Sequence, residues 1–149
     1  MALISLSGGA ALERKLLALK ANCQKAHKVD IGFMKNSPYP NGKSLGEVAI
    51  TNEYGNPAKG QPPRPFFRRM IAKHNGEWAA QLAAFLEANN FNADIGLNKM
   101  GGVIANELRQ SIVDLVEPPL APATIKRKGF DKPLVESGHL LASVDHEVS

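Results

Sequence analysis

The stretch GQPPRPFFRR, residues 60 to 69, joins a stiff loop to a helix. Proline lacks a backbone N–H, so the segment NPAKGQPP, residues 56 to 63, is predicted to lack regular structure. Pro65 suits the first turn of a helix, where its missing N–H has no intrahelical partner. The stretch therefore predicts a break in the chain, followed by a helix that starts near Pro65.

An apolar stripe with the helical period follows Pro65. At about 100° per residue its members share one narrow face; they are Phe67, Ile71, Trp78, Leu82 and Phe85. The phase survives Asn75-Gly76, which favours one continuous helix. In this phase Phe67 lies in the core and Phe66 points about 100° away from it.

A second long helix is predicted after the polar joint ANNFNAD, residues 88 to 94. Its stripe, at the same period, consists of Leu97, Met100, Ile104, Leu108, Ile112 and Leu115. The segment EPPLAP, residues 117 to 122, ends this helix because a residue before proline is pushed out of the helical region. Two long helices thus flank one short linker.

Shorter elements are predicted on either side of this pair. Residues 10 to 26 have the leucine spacing of an amphipathic helix, and VDIGFM, residues 29 to 34, alternates like a half-buried strand. Ser44 and Glu47 form a capping box for a helix that stops near Tyr54-Gly55. The chain is predicted to close with a strand near residues 144 to 148.

Composition favours one globular domain over residues 1 to 149, with the first helix peripheral. The chain has 16.0 kDa, 21% charged residues and a net charge of +4, which permits an acidic partner without requiring one. Cys23 is the single cysteine, so an intrachain disulfide and a multi-thiolate zinc site are excluded. No signal peptide and no membrane span are expected.

Residues with catalytic or ligating potential are few. Cys23 and His27 have a ligand spacing, but two ligands make no metal site, and a buried cysteine beside a surface histidine is the favoured interpretation. Ser137, His139 and Asp145 suggest a hydrolase triad without a nucleophile elbow around the serine. We therefore expect a protein that is not an enzyme and that has no catalytic residues, no cofactor and no metal.

Basic residues are more informative, because residues 56 to 76 contain no acid. They form a candidate basic patch of Lys59, Lys73, Lys126, Arg127 and Lys128, with three arginines between the first two. They can face phosphates or an acidic partner, or they can be solvated helix ends, and the sequence leaves both interpretations open. Phe66 and Met70, one helical turn apart, are the better candidates for an interface anchor.

Three separated motifs occur in a characteristic order: VDIGFM with NEYGNP, then PPRPFFRRMI, then PPLAPATIKRKG with KPLVESGHLLASV. From about residue 28 to 148 the chain resembles the phage tail-component family, the small neck and tail-completion proteins of long-tailed double-stranded-DNA phages. The resemblance implies an α+β fold, with a small, mostly antiparallel sheet packed by two long helices and shorter ones. Long Pro- and Gly-rich loops at 35 to 43 and 55 to 63 would order on assembly.

The resemblance also implies a structural role in the virion, assembled in the cytoplasm of a bacterial host. Subunits would form a homo-oligomeric ring at the head–tail junction or the head-proximal end of the tail, against neighbouring neck, head-closure or tail-tube proteins. Passing double-stranded DNA is a possible non-specific contact. The candidate interface is Arg64, Phe66, Arg68, Arg69 and Met70. Asn52 to Gly55 and Pro133 to Leu140 serve as landmarks of the fold and as further contact surfaces.

Two alternatives remain beside this role. One is a nucleic-acid-binding module that uses the basic segment 59 to 73 on duplex phosphates, although no helix-turn-helix or zinc motif accompanies it. The other is a hydrolase that depends on Ser137, His139 and Asp145. Salt-dependent binding would support the first, and activity lost on His139→Ala would support the second.

Overall fold

Two long helices lie against a two-stranded antiparallel sheet in the computed structural model. It describes residues 8–34, 42, 44–120, 122, 125–126, 129 and 138–149. The elements are α1 (Gly9–Cys23), β1 (Val29–Phe33), α2 (Leu45–Tyr54), a 3-10 helix (Pro57–Lys59), α3 (Phe66–Ala88), α4 (Ala93–Asp114), α5 (His139–Ala142) and β2 (Val144–Val148). The predicted α+β class, with two long helices, shorter helices and an antiparallel sheet, is confirmed.

Helices α3 and α4 form an antiparallel hairpin. The Ser111 hydroxyl donates to the Phe66 carbonyl at 2.7 Å, and the Trp78 indole N–H donates to Glu107 at 2.8 Å. Helix α3 runs unbroken through Asn75-Gly76, as predicted. The predicted stripe of α4 is also confirmed, because all its members from Met100 to Leu115 are buried and only Leu97 is half-buried.

The core side of α3 differs from the prediction over its first turns. Phe66 and Met70 are buried, with only 1% and 2% of their surface exposed, whereas Ile71 is exposed and Phe67 is half-buried. The Phe66 ring meets that of Phe33 edge-on, with centroids 6.1 Å apart. The predicted phase is wrong here because the Phe33 ring of β1 packs against Phe66, on a side of α3 that a single average stripe leaves outside.

Both predicted strands are present, and they pair with each other. Val29 lies opposite Val148, and Phe33 lies opposite Val144. The sheet approaches the backbone of α4 at Gly101, where an added Cβ would collide with the His146 ring and lie 2.8 Å from Val29 Cγ2. A side chain at position 101 is therefore incompatible with this packing.

The segment 56 to 63 was predicted to lack regular structure, and that prediction is wrong. It contains the 3-10 turn Pro57–Lys59, and Asn56 and Gln61 exchange two backbone hydrogen bonds of 2.8 and 3.0 Å. A 3-10 turn tolerates Pro57 at its first position, where no donor is needed. Gly55 has φ 78°, and a Cβ there would lie 2.7 Å from the Gln61 carbonyl oxygen. Of the loop 35 to 43, only Gly42 is described.

Helix α1 is shorter than predicted and ends at Cys23. It contains no buried residue, although it contacts α4. Within the described part of the chain, none of the helices is both long and apolar enough to cross a membrane.

Candidate assembly surface

The Glu53 carboxylate ties α2 to the start of α3. It accepts the backbone N–H groups of Phe67 at 2.9 Å and Arg68 at 3.1 Å, two donors that a helix cannot satisfy internally in its first turn. Glu53 is itself buried. A carboxylate at this end also complements the positive end of the helix dipole. The motif pair NEYG and PFFRR therefore has a folding role.

Arg68 completes this junction. Its Nε lies 2.8 Å from Glu53 Oε1, one terminal nitrogen donates to the Glu53 carbonyl at 2.8 Å, and its guanidinium lies 4.8 Å from the centroid of the Tyr54 ring. The guanidinium is thus engaged by an ion pair, a hydrogen bond and a cation–π contact. We call Glu53, Tyr54, Phe66, Phe67 and Arg68 the α2–α3 junction.

Arg64 joins the loop before α3 to the segment after α4. Only 5% of its surface is exposed, and its guanidinium donates to the carbonyls of Pro118 and Pro119 at 3.4 and 3.5 Å. Its backbone N–H donates to the Asn52 carbonyl at 2.6 Å. Burial lowers the pKa of the Arg64 guanidinium, which still stays charged at neutral pH.

The candidate interface of Arg64, Phe66, Arg68, Arg69 and Met70 thus needs correction. Phe66, Met70 and Arg64 are buried and serve the fold of the chain itself, whereas Arg68 pairs with Glu53 and keeps 55% of its side chain exposed. The physical reason is that the carboxylate cap and the Phe33 ring take up a side of α3 expected to stay free. Only Arg69 is exposed and unpaired within the described chain.

A cleft of about 150 Å³ lies beside Arg69, between the start of α3 and the end of α4. Arg69 and Lys73 line one side, and Glu107 and Asp114 line the other. Glu107 is engaged by Trp78 and lies 3.5 Å from His74 Nδ1. Because both signs of charge line this cleft, it does not select an anionic ligand.

The candidate basic patch is described only in part. Lys59 lies on the 3-10 turn, Lys73 on α3 and Lys126 after α4, and all three are exposed. Arg127 and Lys128 lie outside the described residues. The five-residue patch therefore stays a prediction.

Catalytic and ligating alternatives gain no support from the described residues. Helix α1 ends at Cys23, so His27 does not share its helical face; its backbone N–H donates instead to the Ser149 carbonyl at 2.8 Å. Across the described ranges, no three His, Cys, Asp or Glu side chains converge on a metal position. Ser137 and most of the segment Pro133 to Leu140 lie outside those ranges, so the triad stays an untested prediction.

Several large apolar side chains of the described residues are exposed, among them Ile50 (63%) and Tyr54 (64%) on α2 and Val116 (60%) after α4. Helix α1 exposes Leu12, Leu16 and Leu17 by 57 to 59%. At the turn between α3 and α4, Phe91 is 42% exposed and Ile95 is 38% exposed. We call Glu87, Phe91, Asp94 and Ile95 the α3–α4 joint.

Neither Glu53 nor Phe91 was singled out by sequence reasoning. Glu53 stands outside α3, so no local spacing links it to the helix that it caps. The sequence could have pointed to Phe91, because this bulky residue follows Asn-Asn at the end of a helix, where glycine is usual. The sequence could not have predicted the exposure of the α1 leucines, since their spacing is the same as that of a buried helix face.

We compared the chain with protein-family models, with curated proteins and with solved structures, and none of the three comparisons found a match.

Proposed function

We propose that this chain is a structural subunit of a phage virion, a neck or tail-completion protein that forms a ring at the head–tail junction or the head-proximal end of the tail. The proposal comes from the order of the motifs VDIGFM, NEYGNP, PPRPFFRR and KPLVESGHLL, which resembles that of the tail-component family. The family's role is carried over with the resemblance.

One structural observation carries the proposal further. A 15-residue helix, α1, buries none of its side chains and leaves three leucines open. An isolated helix of this length is marginal in water, and helices in proteins draw most of their stability from packing. A subunit that packs against copies of itself supplies the missing cover.

Electron microscopy with an antibody against the chain tests this role. Particles from cells that carry the gene should be labelled at the head–tail junction or the adjoining end of the tail. Deletion of the gene should leave heads and tails unjoined, and a plasmid copy should restore particles. Unlabelled, complete particles from the deletion strain would contradict the role.

The nucleic-acid alternative has a distinct signature. In the basic segment 59 to 73, Arg64 and Arg68 are engaged within the chain, which leaves Lys59, Arg69 and Lys73 unpaired among the described residues. Three phosphate contacts give a slope of about −3 in log affinity against log salt concentration. A filter-binding series with duplex DNA measures this slope, and a flat response removes the alternative.

A further inference from the structure

We propose that the leucine face of α1 in one copy of this chain binds the α3–α4 joint of a second copy. The inference deepens the proposed ring, on which it rests, by naming the two surfaces that meet. It depends on four observations: the open leucines, the position of α1, the backbone at Phe91, and the charges around both surfaces.

The open leucines belong to one stripe of α1. Leu12 and Leu16 are 59% and 57% exposed, while Leu19, further along the same stripe, is half-buried. Leu17 is equally exposed but lies about 100° around the helix from Leu16. The stripe thus meets its own chain near the end of α1 and is uncovered over the first turns.

The position of α1 excludes its own joint as the cover. The Asn22 side chain donates to the Asn90 carbonyl at 3.0 Å, which fixes the end of α1 beside the α3–α4 joint of the same chain. Leu12 stands about ten residues earlier, which is about 15 Å along a helix. In this arrangement Leu12 and Leu16 stay 59% and 57% exposed, so the joint of the same chain does not cover them, and a second copy can supply the partner surface.

The backbone at the joint indicates a role beyond folding. Asn90 and Phe91 have φ of 52° and 55°. Asparagine tolerates this region, but a bulky aromatic is strained there, by about 1 kcal/mol or more, where glycine would be relaxed. Phe91 is still 42% exposed, so a large part of its ring stays open to a partner although the rest is covered by its own chain. Aromatic side chains are enriched in protein interfaces, and contact with a second copy would supply the missing burial.

The charges around the two surfaces are complementary. Lys15 and Lys20 flank the leucine stripe on opposite sides, with Glu13 beside Lys20. Along the chain, Glu87 lies four residues before Phe91 and Asp94 lies between Phe91 and Ile95, both exposed, with Lys99 four residues after Ile95 and bonded to Asn89. Within the described chain, Lys15, Lys20, Glu87 and Asp94 have no partner. Opposite rims of this kind favour one orientation over α1 packing on another α1.

This contact joins two different surfaces and is therefore heterologous. Each copy offers one α1 and one joint, so copies add in one direction and either close into a ring or extend. A symmetric dimer, in which both copies use the same surface, would require a different interface.

Cysteine cross-linking of the full chain tests the contact. In a Cys23→Ser background, Leu16→Cys together with Ile95→Cys should give a ladder of covalent dimers, trimers and higher species at raised concentration under oxidation. The matched control combines Leu17→Cys with Ile95→Cys and should give at least tenfold less. An equal ladder from the control, or no ladder from either pair, would overturn the inference.

Phe91→Gly separates this role from a structural one. The variant relieves the positive φ, so its melting temperature should be unchanged or higher, while sedimentation should show association weakened at least tenfold. Charge exchange tests the rims with two double variants: one carries Lys15→Glu and Lys20→Glu, and the other carries Glu87→Lys and Asp94→Lys. Each variant alone should associate weakly, and a mixture of the two should recover association. The contact would be contradicted if Phe91→Gly associated like the parent. It would also be contradicted if sedimentation showed that association stops at a dimer.

The inference and the proposed function can fail separately. Particles labelled at the junction, with no cross-link between positions 16 and 95, would leave the virion role standing and remove this contact. A cross-linked ladder from a chain that labels no particles would keep the contact and remove the virion role.

Discussion

The α2–α3 junction and α1 place similar side chains in opposite situations. At the junction, Phe66 is buried against Phe33, and the Glu53 carboxylate binds both the start of α3 and the Arg68 guanidinium. In α1, Leu12, Leu16 and Leu17 stay 57 to 59% exposed, and no residue of the helix is buried. Residue type does not separate the two regions, because the decisive factor is whether another element of the same chain lies within reach.

Truncation of the junction's central ring should have the largest effect. Phe66→Ala removes a fully buried ring, and we expect a loss of about 3 to 5 kcal/mol in the free energy of unfolding. Phe67→Ala is the matched control and should cost clearly less, since Phe67 is half-buried. Urea denaturation measures both, and equal losses would contradict the observed phase of α3.

Removal of the cap's charge should rank second. Glu53→Gln keeps the shape of the side chain but replaces one carboxylate oxygen by an amide N–H₂, which then faces either the Phe67 N–H or the donors of Arg68, at a cost of about 2 to 3 kcal/mol. Glu77→Gln is the control at an exposed position on α3. If both variants unfold at the same urea concentration as the parent, the cap contributes nothing to stability.

Two adjacent glycines of α4 sharpen the comparison further. Gly101→Ala places a methyl group against His146 and Val29, and we expect about 1 to 2 kcal/mol of destabilisation after the gain in helix propensity. At Gly102 the nearest atom, His146 Cε1, is 3.9 Å from an added Cβ, so Gly102→Ala should stabilise by up to about 1 kcal/mol. Opposite shifts in melting temperature check both, and shifts of one sign would refute the packing at Gly101.

The smallest effect is expected in α1. Leu16→Gln should change the free energy of unfolding of the monomer by no more than about 0.5 kcal/mol, because the Leu16 side chain is mostly exposed in its own chain. Chemical denaturation at low protein concentration measures this. A loss of several kcal/mol would mean that the leucine face packs on its own chain.

Local patterns predicted most of the fold. The stripe of α4, the continuity of α3 through Asn75-Gly76, the Ser44 cap and both strands follow from spacing within short windows. The phase at Phe66 could not be predicted in this way, because it depends on β1 and on Glu53, which are distant in the chain. The same limit applied to the candidate interface, where Arg64 and Arg68 were taken as free although their partners lie on other elements.

The sheet has a consequence for the order of events during synthesis. β1 emerges from the ribosome early, but its partner strand does not exist until residues 144 to 148 have been made. The α3–α4 hairpin, whose contacts are local, can form during this interval, whereas strand pairing must close almost the whole chain into a loop. We therefore expect the nascent chain to hold a helical hairpin with Ile31 and Phe33 still uncovered, and to complete its core only when β2 arrives.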